Sequence, residues 1–159
     1  MSARRTAPPA LDLDDLPGHH IRRLQQIAVA VFLQETEPHG VTPVQYAALQ
    51  TVAQQPGVDQ RTLARTIGLD TSTIAGVVDR LEARALLRRN ADADDRRVRR
   101  LTLTPEGESL LAALLPGMLR AQERMLAPLR KGERAEFMRM LRQIVETNNE
   151  LSRAPSDAT

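Results

Sequence analysis

Five residues between positions 70 and 81 have the types and spacing that suit contact with duplex DNA. They are Thr71, Ser72, Thr73, Gly76 and Arg80. Short hydroxyls reach phosphates and base edges, and an arginine reaches a guanine or a phosphate. A glycine lets the helix backbone approach the groove closely. If one helix carries all five, they form the face of a recognition helix.

The residues around this face predict a helix-turn-helix. Ala64 is small enough for two helices to approach closely, and Gly68 follows four residues later, where the turn needs a positive φ. The apolar positions that would join the two helices are Leu63, Ile67, Ile74, Val77 and Val78. We therefore predict a helix over 60–67 capped by Asp59 and a helix from Thr71 to about Ala85 capped by Asp70.

A charged hairpin is predicted directly after this unit. Residues 86–90 and 99–103 have the composition of two short strands, and residues 91–98 form a charged tip between them. Between Arg80 and Arg100 the chain has eight arginines and four acidic residues. This local excess of positive charge suits binding of a polyanion. Arg96 and Arg97 at the tip can enter a minor groove. The alternative is a solvated loop of mixed charge.

Three carboxylates, those of Asp92, Asp94 and Asp95, lie in the same tip. A carboxylate there can pair with a neighbouring guanidinium and hold the shape of the tip. The sequence does not decide which of the three does so.

The rest of the chain is predicted to be helical. A helix runs from residue 16 to about 37, before Pro38 and Gly40. Thr42, Pro43 and Gln45 form a capping-box start for a helix to about Gln55. Thr104–Pro105 begins a long helix in which Pro116 and Pro128 should introduce kinks, and a last helix follows. Residues 1–15 are predicted as a flexible arm and residues 153–159 as a disordered tail.

Composition excludes several classes of protein. The chain has 159 residues, 42% of them hydrophobic, which suits one domain or one domain with a dimerisation extension. It has no cysteine, so it has neither a disulfide, nor a Cys-ligated metal, nor a thiol switch. With only two Phe and one Tyr, a single-strand binder that stacks bases is disfavoured.

The sequence contains no nucleophile–base pair, phosphate-binding glycine loop or metal-ligand spacing. We therefore expect no enzyme activity, no cofactor and no metal. No apolar run is long enough for a membrane span, and no secretory signal opens the chain, so we expect a cytoplasmic protein without membrane contact.

The order of elements and two motifs resemble the MarR family of bacterial winged-helix regulators over residues 18–151. The motifs are Val77-Val78-Asp79-Arg80-Leu81-Glu82 followed by Leu86-Leu87-Arg88-Arg89, and Asp92-Ala93-Asp94-Asp95-Arg96-Arg97 followed by Leu101 to Gly107. Ala93 departs from the family wing, where proline is common. The expected fold is mostly α with a small β-hairpin wing: a winged helix-turn-helix with a helical dimerisation region.

The resemblance implies a homodimer that binds a palindromic operator in double-stranded DNA, usually as a repressor. Residues 16–40 and 104–152 would dimerise, and residues 41–103 would bind DNA. The five recognition-helix residues would enter the major groove, with Arg96 and Arg97 in the minor groove. Asp95 would brace the wing, and Gln60 and Arg61 could touch phosphates.

The terminal helices independently favour a partner chain, because they carry more apolar residues than a compact winged helix needs. The alternative is a bundle within one chain.

The family often binds small aromatic acids between its dimerisation helices and its DNA-binding lobe. The segments Leu16-Pro17-Gly18-His19 and Ile21-Arg22-Arg23 look similar to repressors of aromatic-acid catabolism, including nicotinate-type compounds. Our candidate effector residues are His19, His20, Arg22, Arg23 and Tyr46. An arginine can grip a carboxylate through two bonds, and a tyrosine can stack on a ring or hydrogen-bond to it. The arginines could instead be exposed or touch the partner, and Tyr46 could be a core residue.

Two other functions fit part of the sequence. An architectural DNA-binding protein would share the basic wing but discriminate little between sequences and ignore effectors. A helical module that binds only protein would show no salt-dependent DNA affinity.

Overall fold

The computed structural model describes residues 11–152, which form six α-helices and a three-stranded sheet. The helices are α1 (Pro17–Thr36), α2 (Pro43–Gln54), α3 (Gln60–Ile67), α4 (Thr71–Ala83), α5 (Pro105–Leu126) and α6 (Lys131–Thr147). The strands are β1 (Val58–Asp59), β2 (Leu87–Ala91) and β3 (Arg99–Leu103). The predicted class, mostly α with a β-hairpin wing, is confirmed.

The core of the lobe, by which we mean α2 to β3, joins α2, α3 and α4 to the sheet. Leu63, Ile74 and Leu101 are fully buried there, and Val77 and Val78 are buried beside them. The predicted apolar face of the helix-turn-helix is therefore the face that packs inward. Burial of these branched side chains is what fixes α4 against α3.

The local signals at the helix starts behave as the sequence predicts. Thr42 and Gln45 form the reciprocal capping box of α2. Asp59 and Asp70 accept hydrogen bonds from the backbone N–H groups of Thr62 and Thr73 at 2.8 and 2.7 Å. Each cap supplies an acceptor that the first turn of a helix lacks.

The sheet has the antiparallel order β1–β3–β2, so the predicted hairpin has a third strand beside it. Leu87 pairs with Leu103 and Ala91 with Arg99, while Val58 and Asp59 pair with Leu101 and Arg100. Sequence analysis missed β1, since two residues are too few to show a strand period. β2 also begins one residue later than predicted.

α1 packs along α5 and links the lobe to the C-terminal helices. Phe32 and Thr36 of α1 are buried with Leu114 and Ala121 of α5. Gly117 lies against the backbone of Glu35, and a Cβ at this glycine would overlap the Glu35 carbonyl oxygen. The two helices therefore approach at backbone contact distance.

The terminal helices expose the apolar residues that the sequence assigns to a partner chain. Leu119 of α5 is 60% exposed, and Ile144 and Val145 of α6 are 52% and 63% exposed. The bundle within one chain does not bury them.

Three predicted boundaries are wrong. Pro128 does not kink a helix, because α5 ends at Leu126 and α6 begins only at Lys131, so the proline lies in the connection between them. α4 ends at Ala83 rather than Ala85, since Ala85 has a left-handed φ of +55°. Leu13–Asp15 form a 3₁₀ turn, so the end of the predicted arm is ordered. Residues 1–10 of the arm and the tail 153–159 lie outside the described residues.

Candidate nucleic-acid interface

The turn before α4 aims its predicted face away from the core. Gly68 adopts a φ of +73°, and its N–H bonds the last carbonyls of α3. Because Ile74 and Val78 of α4 are fully buried, the opposite side of the helix faces outward. Thr71, Ser72 and Thr73 are exposed there in the first turn, as predicted.

The three hydroxyls of this turn are not equivalent. The Thr73 hydroxyl donates to Asp70 Oδ2 at 2.7 Å, and this bond is the largest cause of the lowered pKa of Asp70. Thr73 thus reinforces the helix cap. The hydroxyls of Thr71 and Ser72 have no hydrogen-bond partner within residues 11–152.

Arg80 lies along its own helix across Gly76. A Cβ at Gly76 would be 3.7 Å from the Arg80 Nη1 atom, with no other heavy atom outside the helix backbone nearer. Arg80 is exposed and Gly76 half-buried. The glycine therefore gives the guanidinium room to move along the outward face.

The wing tip is held by Asp92, the carboxylate that the sequence left undetermined. Its Oδ2 accepts from Arg100 Nε at 2.6 Å, and its Oδ1 accepts from the backbone N–H groups of Asp94 and Asp95 at 2.9 and 3.1 Å. These bonds, led by the one from Arg100, lower the pKa of Asp92 to about 2. Asp95, expected to brace the wing, accepts from the backbone N–H of Arg97 at 2.9 Å.

The wing arginines adjoin the start of α3. A cleft of about 520 Å³ is lined by Asp59, Gln60, Arg61 and residues 97–100. The predicted phosphate contacts Gln60 and Arg61 therefore border the same surface as Arg97. The side chains of Arg96 and Arg97 are exposed, with no ion pair to a carboxylate in residues 11–152. The cleft therefore brings four arginines together with one carboxylate, that of Asp59.

Arg89 is a residue of this region that sequence analysis passed over. Its guanidinium bonds Asp79 and, at 3.1 Å, Glu82 Oε2, both on α4. The backbone N–H of Arg89 donates to Glu82 Oε1 at 3.0 Å. β2 is thereby attached to α4. Two acidic residues one helical turn apart, followed by a basic strand, are the signal that could have found it.

A second region, between α1, α2 and α5, contains a cavity of about 300 Å³. It is lined by Gln25, Ala28, Val29, Phe32, Pro43, Met118, Ala121, Gln122 and Met125. Two amides among apolar and thioether groups suit a flat ring with a few polar substituents. None of the five predicted effector residues lines this cavity.

The structure separates those five residues. Arg22 lies one helical turn before Gln25 on the same face of α1 and bonds Gln26 at 3.3 Å. Arg23 and His20 line another groove, about 710 Å³ in volume, between α1 and the apolar side of α6. Of the four predicted residues on α1, Arg22 alone lies one helical turn from a residue that lines the smaller cavity, namely Gln25.

His19 and Tyr46 line neither of these two cavities. Desolvation, then the charges of Arg22 and Arg23, lower the pKa of His19, which favours the neutral ring. Tyr46 packs edge-to-face on Phe32 with ring centroids 5.9 Å apart. Burial raises the pKa of its hydroxyl, which donates to Gln50 at 3.5 Å. Tyr46 thus supports the cavity from behind Phe32.

Residues 11–152 contain neither a metal-ligand cluster nor a membrane-spanning helix. Within that range no three His, Asp or Glu side chains gather as a metal site would require. None of the helices there combines the length and the apolar character that crossing a bilayer needs.

Comparison with known proteins gives a consistent result. A sequence model described as the MarR family matches residues 39–98. The PcaV transcriptional regulator from Streptomyces coelicolor, solved in complex with its natural ligand, is 39% identical. The similarity covers 87% of this chain and 98% of that chain, with a TM-score of 0.82.

Two further solved structures concern ligand and DNA. BpsR from Bordetella bronchiseptica, whose DNA binding is regulated by 6-hydroxynicotinic acid, is 29% identical over 86% of this chain and 97% of its own, with a TM-score of 0.81. The repressor CouR from Rhodococcus jostii, bound to a 23-mer DNA duplex, is 29% identical over 86% and 99%, with a TM-score of 0.80.

Proposed function

The chain belongs to the MarR family of transcriptional regulators, and from this premise we propose a homodimeric repressor that releases a palindromic operator when a small aromatic carboxylate binds. The observation that carries the proposal is the outward face of α4 joined to the basic wing. The relatives bind DNA or respond to a ligand as described above. We propose that the protein acts in the cytoplasm and has no catalytic activity.

DNA contact follows from the two-fold symmetry of a dimer. Two copies of α4 about one DNA turn apart, roughly 34 Å, would meet successive major grooves. Thr71, Ser72, Gly76 and Arg80 would read the groove edge, with Thr73 holding the cap. The wing arginines would lie in the flanking minor grooves, and Gln60 and Arg61 at phosphates.

Operator binding is tested by fluorescence anisotropy with the DNA upstream of the protein's own gene. A shuffled duplex is the control, and both duplexes are titrated across a salt series. We expect Arg80→Ala to weaken upstream binding by about tenfold or more, since one good base contact contributes about 1–3 kcal/mol. Lys131→Ala removes an equal charge at the start of α6, far along the chain from α4, and should bind as wild type.

Two results would contradict this assignment. Wild-type affinity in Arg80→Ala would refute the docking of α4. Equal, salt-sensitive binding of both duplexes would favour the architectural alternative.

For the effector, we propose that the ring enters the cavity beside Phe32 and Met118 and that Arg22 holds the carboxylate at the Gln25 end. Gln25 and Gln122 would bond substituents of the ring. A guanidinium can bond both carboxylate oxygens, which makes arginine the preferred partner. Arg23, on the side facing α6, would have no part in this contact.

Arg22→Ala and Arg23→Ala are a matched pair, because they remove the same charge from adjacent positions. With 6-hydroxynicotinic acid and a panel of benzoic acids as probes, we expect Arg23→Ala to release the operator at wild-type concentrations of acid. Arg22→Ala should need at least about tenfold more, consistent with loss of a charge-assisted bond. Equal responses of the two variants would refute the role of Arg22.

A further inference from the structure

Arg84 reaches from the end of α4 to the loop that follows α1. Its Nη1 donates to the carbonyl oxygen of Gly40 at 2.9 Å, and its Nη2 donates to that of His39 at 3.2 Å. The two bonds join residues more than forty positions apart in the chain. We call this pair of bonds the Arg84 link.

Both ends of the link are attached to a helix terminus. His39 ends the 3₁₀ turn Glu37–His39 that continues α1, and Gly40 follows it in the left-handed conformation. Carbonyls at such an end lack intrahelical partners and carry partial negative charge, so a guanidinium satisfies both needs. At the other end, the backbone N–H of Arg84 donates to the carbonyl of Arg80 at 3.2 Å, which makes Arg84 the C-cap of α4.

The link acts across the connection between the dimerisation helices and the DNA-binding lobe. The chain passes there through residues 37–42, and Gly40 has a φ of +58°, which glycine adopts without strain. Changes of a few backbone angles at such a loop would turn the lobe relative to α1. The Arg84 link opposes that rotation, since the fork must stay aligned with two consecutive carbonyls.

From this geometry we infer that Arg84 is a positioning residue, one that fixes the angle of α4 against α1 and does not itself touch DNA. Its effect on operator binding rests on the proposed function, because only a dimer on two half-sites requires a defined spacing of its recognition helices. The angle itself is a property of one chain and can be measured without operator or effector.

The absence of native cysteine makes that measurement simple. Ala30→Cys on α1 and Ser72→Cys on α4, both at exposed positions, carry a donor and an acceptor dye. Labelled chains are mixed with excess unlabelled protein, so that single-molecule transfer reports only the distance within one chain. We expect Arg84→Ala to shift and broaden this distance distribution.

Arg88→Ala is the matched control for that measurement. It removes the same charge at an exposed site four residues away, where the structure gives no partner for the Arg88 side chain within residues 11–152. Its distance distribution should equal that of wild type. Arg84→Lys, which keeps the charge but has no planar fork, should resemble Arg84→Ala. Unchanged thermal unfolding of the variants would show that the lobe itself stays folded.

Operator binding provides the functional result. We expect Arg84→Ala to bind upstream DNA about 5- to 20-fold more weakly, which is within the usual range of coupling between sites. The salt dependence of its binding should keep the slope of wild type, because no phosphate contact is lost. A slope lower by about 1 would show a phosphate contact and overturn the positioning role.

The distance distribution decides the inference. If Arg84→Ala gave the wild-type distribution, the Arg84 link would not fix the lobe. If wild type failed to prefer upstream DNA, the proposed function would fail, while the distances would still decide the role of Arg84.

Discussion

Replacing Gly117 by alanine should destabilise the protein, although alanine is the better helix former. Gly117 is buried in α5, where α1 crosses it. An added Cβ would overlap the carbonyl oxygen of Glu35 and lie 3.4 Å from Thr36 Cγ2. The overlapping atom belongs to the backbone, so it cannot rotate aside as a side chain would.

The magnitude follows from two opposed effects. Alanine gains about 1 kcal/mol over glycine in a helix interior. To admit the Cβ, α1 and α5 must separate, and a gap of about 0.5–1 Å forfeits a quarter to a half of the attraction in each contact. Overpacking costs about 1–3 kcal/mol, and a rigid backbone neighbour places Gly117→Ala at the upper end. We expect a net loss of about 2 kcal/mol, which lowers Tm by about 4–8 °C.

Thermal unfolding followed by circular dichroism at 222 nm tests this value. The protein concentration must be equal in all samples, because dimerisation makes Tm concentration-dependent. Gly132→Ala in α6 is the matched control: a Cβ there meets no atom within 4 Å, so its Tm should stay equal or rise slightly. A Tm for Gly117→Ala at or above that of wild type would refute the reasoning.

Four other substitutions have expected outcomes. Ala85→Gly should raise Tm by about 2–4 °C, since the left-handed φ of +55° costs alanine about 1–2 kcal/mol and glycine recovers part of it; a lower Tm would contradict this. Arg89→Ala should weaken operator binding with an unchanged salt slope, whereas Arg97→Ala should lower the slope by about 1 in the same anisotropy titration; equal slopes in the two variants would show that Arg89 touches DNA or that Arg97 does not. Glu35, whose pKa Arg120 lowers, should contribute stability at neutral pH that is lost as pH falls through its folded pKa. The Tm difference between wild type and Glu35→Gln should therefore shrink on acidification, and a constant difference would contradict the ion pair.

Much of the fold was predictable because its signals are local. The caps at Thr42, Asp59 and Asp70 and the positive φ of Gly68 depend on residues within about four positions of one another. The inward face of α4 follows from helical period alone. Two-residue β1 carried no such period, so its place beside β3 emerged only in the folded sheet.

The candidate site was predictable in composition but not in its pairings. The eight arginines between residues 80 and 100 and the three wing carboxylates predict a charged hairpin. Any of these carboxylates could have paired with an arginine. The fold selected Asp92 and Arg100 because antiparallel β2 and β3 bring the two ends of the tip together. Likewise Arg22 and Arg23 are neighbours in sequence, but only Arg23 lines the groove beside α6, because the helix places consecutive residues on different faces.

The sequence by itself therefore determined the six helices, the hairpin, the caps at Thr42, Asp59 and Asp70, the face of α4 and the sign of the charge around it. Each of these depends on chain neighbours, whose separation is nearly the same in any fold. The tertiary structure alone decided the backbone contact at Gly117, the attachment of β2 to α4 by Arg89 and the Arg84 link. Those contacts join residues far apart in the chain, and their distances exist only once the helices have packed.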